Sequence, residues 1–263
     1  MTAPDTPGSA DAVVAAVRVL VPELDVAAAR RSSAGASRET WTLEGPEGEP
    51  VAVLQRALAG PGRPDDAWLA EAELLRRVRA HGVAAPEVLG AGRGDDALGR
   101  PWILTRHLSG ETIPRRILRD ERFAGARRRF VVDVAGQLAA LHAVPVDELP
   151  PLPADDPLDS WMAIHRALAR PVPAFEIAAR HLAMTRPETG PRALVHGDFR
   201  LGNLLVDDGG LVAVLDWELA HLGDPAEDLG WLCVRSWRFG GPRPVAGLAE
   251  RRDLLDAYAA AGG

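Results

Sequence analysis

A chain of 263 residues with 47% hydrophobic and 25% charged positions has the composition of a globular protein long enough to bury a core. Its formal charge of −7 excludes the basic footprint that a dedicated nucleic-acid binder carries. One cysteine, Cys233, excludes an internal disulfide and with it any need for an oxidising compartment.

All 30 Lys+Arg positions are arginine; the chain has no lysine. The N-terminal stretch MTAPDTPGSADAVVAAVRVL has no basic leader, and its short apolar run is broken by Arg18. It reads as neither a signal peptide nor a membrane span, so the expected location is the cytoplasm.

In chain order, Ser9 caps a helix over residues 11–20, which Pro22 ends. A short strand is expected at 26–31, followed by the small-residue run Ser32-Ser33-Ala34-Gly35-Ala36-Ser37. β-Branched and aromatic content predicts a strand at 39–43, a turn at Gly45-Pro46-Glu47-Gly48, and a returning apolar strand at 51–55. Leu69, Ala72, Leu75 and Val78 fall on one face of a helix over 67–81. A strand at 102–105 completes a small α+β unit, residues 1–107.

Residues 108–263 read differently. Phe130, Val134, Leu138 and Leu141 mark a helix over 122–142, and a proline-rich connection follows at 144–157. Helices are expected at 158–170, 173–185, 225–236 and 245–261. Between them, LVHGDFRLGNLLVDDGGLVAVLDWE (194–218) reads as short strand, loop, strand, a Gly-Gly turn, and strand.

That stretch carries the chemistry. In His196-x-Asp198-x-x-x-x-Asn203, the spacing is that of a phosphoryl-transfer loop, with an Asp on the acceptor hydroxyl and an Asn on magnesium. Asp216 ends the strand behind the tight turn, which returns its carboxylate to the same loop. Two carboxylates 4 Å apart repel by about 4 kcal/mol at an effective dielectric of 20, and a divalent cation removes that cost. Oxygen-only ligands favour magnesium. His196 reads as a structural ring, and Asp207-Asp208-Gly209-Gly210 as a plain turn.

HGDFRLGNLL followed by VLDWELAHLGDPAEDLGWL resembles the aminoglycoside phosphotransferase-like family of small-molecule kinases. The wording is most similar to the phosphotransferase domains related to acyl-CoA dehydrogenase fusions. The resemblance implies a protein-kinase-like bilobal α+β fold: a small N-terminal antiparallel-sheet lobe (1–107) and a larger, mostly helical lobe (108–263). It implies ATP and Mg²⁺ as cofactors and a small hydroxylated substrate as partner. It makes Asp198 the catalytic base, Asn203 and Asp216 the metal ligands, and Asp228 a brace for the loop.

By the same resemblance, SSAGASRETW is a phosphate loop in which Gly35 and Ser37 bring backbone N–H groups to the nucleotide. Glu71 is the helix residue that pairs with the phosphate-binding cation. That cation is Lys or Arg in the family, whereas the strand here reads VAVLQR. Strand alternation lets only one of Gln55 and Arg56 face the nucleotide. Arg56 is expected there, paired with Glu71, because Glu71 beside ATP needs a cation between them.

Arg200 is expected either to neutralise the transferred phosphate or to bridge to Asp224 or Glu218. The family usually continues with further helices after the point where this chain reaches Tyr258; if the chain is a fragment, its acceptor site is incomplete. The missing lysine also motivates a second reading, a nucleotide-binding domain without transfer activity. Metal-dependent hydrolysis is disfavoured, since the histidines show neither HxH nor HxxxH spacing.

Overall fold

In the computed structural model, residues 8–32, 37–60, 62–187, 190 and 192–263 are described. Gly35 and the expected turn of the phosphate loop lie outside them.

Helix α1 (Ala10–Leu20) begins where the Ser9 hydroxyl accepts from the Ala12 N–H. Strands β1 (Ala28–Arg31), β2 (Arg38–Glu44) and β3 (Pro50–Ala57) follow, then α2 (Asp65–Ala80), β4 (Val88–Gly92) and β5 (Trp102–Arg106). All strand pairs are antiparallel, and the sheet order is β1-β2-β3-β5-β4.

The pleat sends alternate side chains to opposite faces. One face carries Trp41, Leu43, Ala52, Leu54, Trp102 and Leu104, which bury against Val13, Val14 and Val17 of α1. The other face carries Ile103 against Trp68 and Ala72 of α2. Further along α2, Leu74, Leu75 and Val78 belong to the core of the helical half. Thus α2 is built into the cluster on the second sheet face and into the core of the helical half, which fixes Glu71, between Trp68 and Leu74, at the junction.

The second half contains α3 (Pro114–Arg119), α4 (Ala124–His142), α5 (Pro157–Ala167) and α6 (Pro173–Met184). Strands β6 (Ala193–Val195), β7 (Leu204–Val206), β8 (Leu211–Val214) and β9 (His221–Gly223) come next, then α7 (Ala226–Trp231) and α8 (Arg251–Ala260). Helix α4 is its centre: Phe130, Val134, Ala135, Leu138 and Leu141 are buried among Leu194, Phe199, Leu204 and Leu254. Strands β6 and β9 pair, as do β7 and β8, and these two ribbons carry the motif loops. Helices α5 and α6 stand apart from this core; Met162 is the one buried residue of the two.

The last helices are shorter than their periodicity predicts. The segment 225–236 breaks after Trp231, where Val234 turns to extended backbone. The segment 245–261 becomes helical at Arg251, because Gly247 has φ +81° and forms a turn. No helix among the described residues is long and apolar enough to cross a membrane.

Candidate active site

Strand β6 delivers His196-Gly197-Asp198 into a tight turn. Gly197 has φ +81°, and a Cβ there would stand 2.6 Å from the Leu219 carbonyl oxygen, so both conformation and space require glycine. The turn is held from α7. Asp228, fully buried, accepts from the His196 N–H at 2.8 Å and the Gly197 N–H at 3.0 Å. Its Oδ2 also lies 3.2 Å from His142 Nε2.

His196 is a positioning ring. Its Nε2 stands 3.0 Å from the Leu215 carbonyl oxygen, and its Nδ1 accepts from the Asp198 N–H at 3.2 Å. That pair of contacts requires the neutral ring with the proton on Nε2. Burial pushes its pKa below 6.5, while the nearby Asp228 carboxylate pulls the other way.

Asp198 lies at the end of this scaffold and accepts from three side chains. Asn203 Nδ2 donates to Oδ2 at 2.7 Å and to the Asp198 carbonyl oxygen at 3.0 Å. Trp231 Nε1 donates to Oδ1 at 2.7 Å. Arg200 Nε is shared between Oδ1 and Oδ2 at 2.9 and 3.0 Å. Arg200 therefore pairs with Asp198, where the sequence suggests Asp224 or Glu218, and its guanidinium lies 4.7 Å from the Trp237 ring centroid. Trp231 is a contact the sequence reasoning missed; nothing in its spacing from Asp198 announces it.

The third motif residue arrives through the backbone. The Leu215 N–H donates to the Asn203 carbonyl oxygen at 2.8 Å, which binds the end of β8 to the Asn203 turn. Asp216 follows with φ +66°, a left-handed conformation that turns it out of the strand. It lines a cleft of about 380 Å³ between sheet and helical half, with Thr40, Val53, Gln55, Glu71 and Leu205.

Partial burial raises the Asp216 pKa first, then the carboxylates of Glu218, Asp198 and Glu71; Arg38 opposes them. A carboxylate surrounded by its own kind, with Asn203 beside it, suits a hard cation. No cluster of three or more His, Cys, Asp or Glu able to hold a metal occurs among the described residues. One carboxylate, Asp216, with the Asn203 amide is a donor set of the kind magnesium takes, which binds through one or two carboxylates plus substrate phosphates and water.

The expected cation is displaced. Arg56 does not face the cleft. The register sets Arg56 opposite Glu39 and Gln55 opposite Thr40, so Arg56 shares the α1 face with Leu54. There its Nη2 donates to Glu39 Oε2 at 3.0 Å and its Nη1 to the Leu98 carbonyl oxygen at 3.1 Å. The side chains of Arg56 and Glu39 are 0% and 4% exposed. Gln55 faces the cleft.

Glu71 does receive cations, from elsewhere. Arg38 forks onto it, Nη1 to Oε1 at 2.7 Å and Nη2 to Oε2 at 2.8 Å, and Arg63 also pairs with it. Arg38 is the second residue that sequence reasoning missed. It begins the strand whose cleft face continues with Thr40 and Thr42. Ser37, beside it, is exposed and donates from Oγ to Glu218 Oε1 at 3.1 Å.

Known proteins resemble this chain in sequence and in fold. Mouse (Mus musculus) acyl-CoA dehydrogenase family member 10 is 29% identical over 183 residues, which are 62% of this chain and 16% of that protein. An aminoglycoside 3'-phosphotransferase of Streptomyces fradiae is 28% identical over 179 residues, 63% of this chain and 62% of that enzyme. The GDP and kanamycin complex of APH(2")-IIia matches with a TM-score of 0.67 at 17% identity, covering 94% of this chain and 82% of that one. That likeness shows the expected kinase-like α+β fold. The model of the phosphotransferase enzyme family matches residues 28–262, and the chain belongs to that family.

Proposed function

We propose that the protein is an ATP-dependent, magnesium-requiring kinase that transfers the γ-phosphate to a hydroxyl of a small molecule. The observation that carries this reading is one linked hydrogen-bond path. Asp198 accepts from Asn203, and the Asn203 backbone accepts from Leu215, the neighbour of Asp216. In this reading residues 1–107 hold the nucleotide and 108–263 carry the transfer loop and the acceptor.

Asp198 orients the acceptor hydroxyl and takes its proton as the oxygen attacks the γ-phosphorus, whose bond to the β,γ-bridging oxygen breaks and releases ADP. Asn203 and Asp216 hold Mg²⁺, which supplies charge neutralisation on the donor phosphates. Glu71 places the cation that faces the phosphates. Trp231 and Arg200 fix the Asp198 carboxylate, so its approach to the hydroxyl is set before substrate arrives. A cytoplasmic setting fits a chain with one cysteine and a triphosphate donor.

The acceptor class stays among antibiotics, choline-like amino alcohols, sugars and hydroxyacyl thioesters. The structural relative with GDP makes GTP the necessary control donor. The test is phosphate transfer from ATP and GTP, with and without Mg²⁺, to a panel of these alcohols. Asp198→Asn should lower turnover by about 10²–10⁴-fold with nucleotide affinity nearly unchanged. Unchanged turnover would remove Asp198 from the mechanism.

One observation favours a second reading, nucleotide binding without transfer: three side chains already occupy the Asp198 carboxylate. Nucleotide binding without ADP release on any acceptor would support it.

A further inference from the structure

The chain lacks lysine, and the cleft-facing position of β3 is a neutral amide, Gln55. A donor triphosphate beside Glu71, Asp198 and Asp216 still needs a fixed positive charge. The structure places one on the adjacent strand. Arg38 shares the cleft face of β2 with Thr40, and its side chain is 4% exposed.

Its fork onto Glu71 has the bidentate geometry that orders a guanidinium. Arg38 Nη1 also donates to Gln55 Oε1 at 3.2 Å, so the guanidinium meets the β3 side chain that lines the cleft. The guanidinium is braced by the Trp68 ring at 5.0 Å.

The remaining edge, Nε, meets the segment that follows β8. Arg38 Nε donates to Glu218 Oε2 at 3.1 Å, and Ser37 Oγ donates to Glu218 Oε1 at 3.1 Å. Glu218 stands two residues after Asp216. The Nε edge of the guanidinium therefore already holds one anionic oxygen, Glu218 Oε2, two residues along the chain from Asp216.

We propose that Arg38, supplied from β2, is the cation that grips the donor phosphates in place of a β3 lysine. Glu71 orients it, Gln55 only assists as a neutral group, and the Glu218 carboxylate holds the Nε edge until a phosphate oxygen replaces it. The inference rests on the kinase reading, yet it is tested by binding alone.

The experiment is calorimetric titration of the intact chain with Mg·ATP, Mg·ADP and adenosine. It compares the parent with Arg38→Ala, Arg38→Lys, Gln55→Lys and the Arg38→Ala/Gln55→Lys pair, each titrated well below its own melting temperature. A charge-assisted contact to phosphate corresponds to roughly tenfold or more in affinity. Arg38→Ala should weaken Mg·ATP by at least about tenfold and leave adenosine unchanged. Arg38→Lys should be intermediate, since it keeps charge and loses the fork. Adding Gln55→Lys to Arg38→Ala should recover most of the loss.

Mg·ATP binding by Arg38→Ala within threefold of the parent overturns the proposal. So does equal weakening of adenosine, or no recovery from the transplanted lysine; either makes Arg38 merely structural. A chain that needs Arg38 for Mg·ATP but transfers no phosphate sinks the kinase reading and leaves this assignment standing. A chain that transfers phosphate regardless of Arg38 does the reverse.

Discussion

His196 shows how a single ring couples the site to pH. Its folded pKa is depressed below 6.5 by burial, so the unfolded chain binds the proton more tightly. Its stabilising contribution is complete above pH 6.5 and is lost as pH falls below that value towards the folded pKa. His107 has the same sign; His221, raised by its contact with Glu227, has the opposite one. The depressed carboxylates Glu39, Glu87 and Glu111 add their loss only below pH 4.5. In a His221→Gln variant, which lacks the opposing group, melting temperature should therefore begin to fall near pH 6.5, well before the carboxylates protonate. If that variant's melting temperature stays flat from pH 7 to pH 5, the neutral, buried assignment of His196 is wrong.

At this scale much of the site was legible. Asp198, Asn203 and Asp216 sit in a spacing that only a turn and a two-stranded return can bring together, and the structure has that turn and return. Asp228 was legible as a brace, and it accepts from the two N–H groups of the loop. The partners of Asp198 were not. Trp231 and Arg200 reach it through packing that no periodicity encodes.

At the scale of the element, the pairing of β2 with β3 decides which arginine does what. Alternation announces that Gln55 and Arg56 oppose each other, but either parity carries apolar residues: Val51 and Val53 on one side, Ala52 and Leu54 on the other. Only the register, with Glu39 opposite Arg56, tells them apart. Arg56→Met should cost about 3 kcal/mol of unfolding free energy, the low end for breaking a buried ion pair, because Arg100 still donates to Glu39. Nucleotide affinity should stay within about twofold, as for sites that share no partners. Denaturant unfolding and a nucleotide titration check the two halves; a large loss of affinity would return Arg56 to the cleft.

Other elements escaped the sequence for simple reasons. Strand β4 reads VLGAG, whose glycines lower strand propensity, and it forms because β5 offers a partner along its edge. Strand β9 is three residues long and exists only through its pairing with β6. By contrast α1, α2 and α4 carry their buried stripes openly, and their extents differ from expectation by a residue or two at the ends.

For the whole molecule, the cleft makes stability a function of what fills it. A ligand that binds only the folded state at 100 times its Kd adds about 2.7 kcal/mol, roughly 5–10 °C in melting temperature for a chain of this size. Mg·ATP should give such a shift. ATP without Mg²⁺ should give much less, since the triphosphate then adds negative charge beside Asp216, Glu218 and Asp198. Asp216→Asn should abolish the difference between the two, and thermal melts with and without a chelator read it directly.

The cleft wall of β2 and β3 offers an amide at Gln55 and a guanidinium at Arg38. Neither group is acylated at neutral pH, and the chain has no amine side chain anywhere. Reagents that tag nucleotide-binding proteins by transferring an acyl group to a nearby lysine will find no such side chain in this cleft even when it is full. Dicarbonyl reagents, which condense with guanidinium groups, are the chemistry that its arginines can answer.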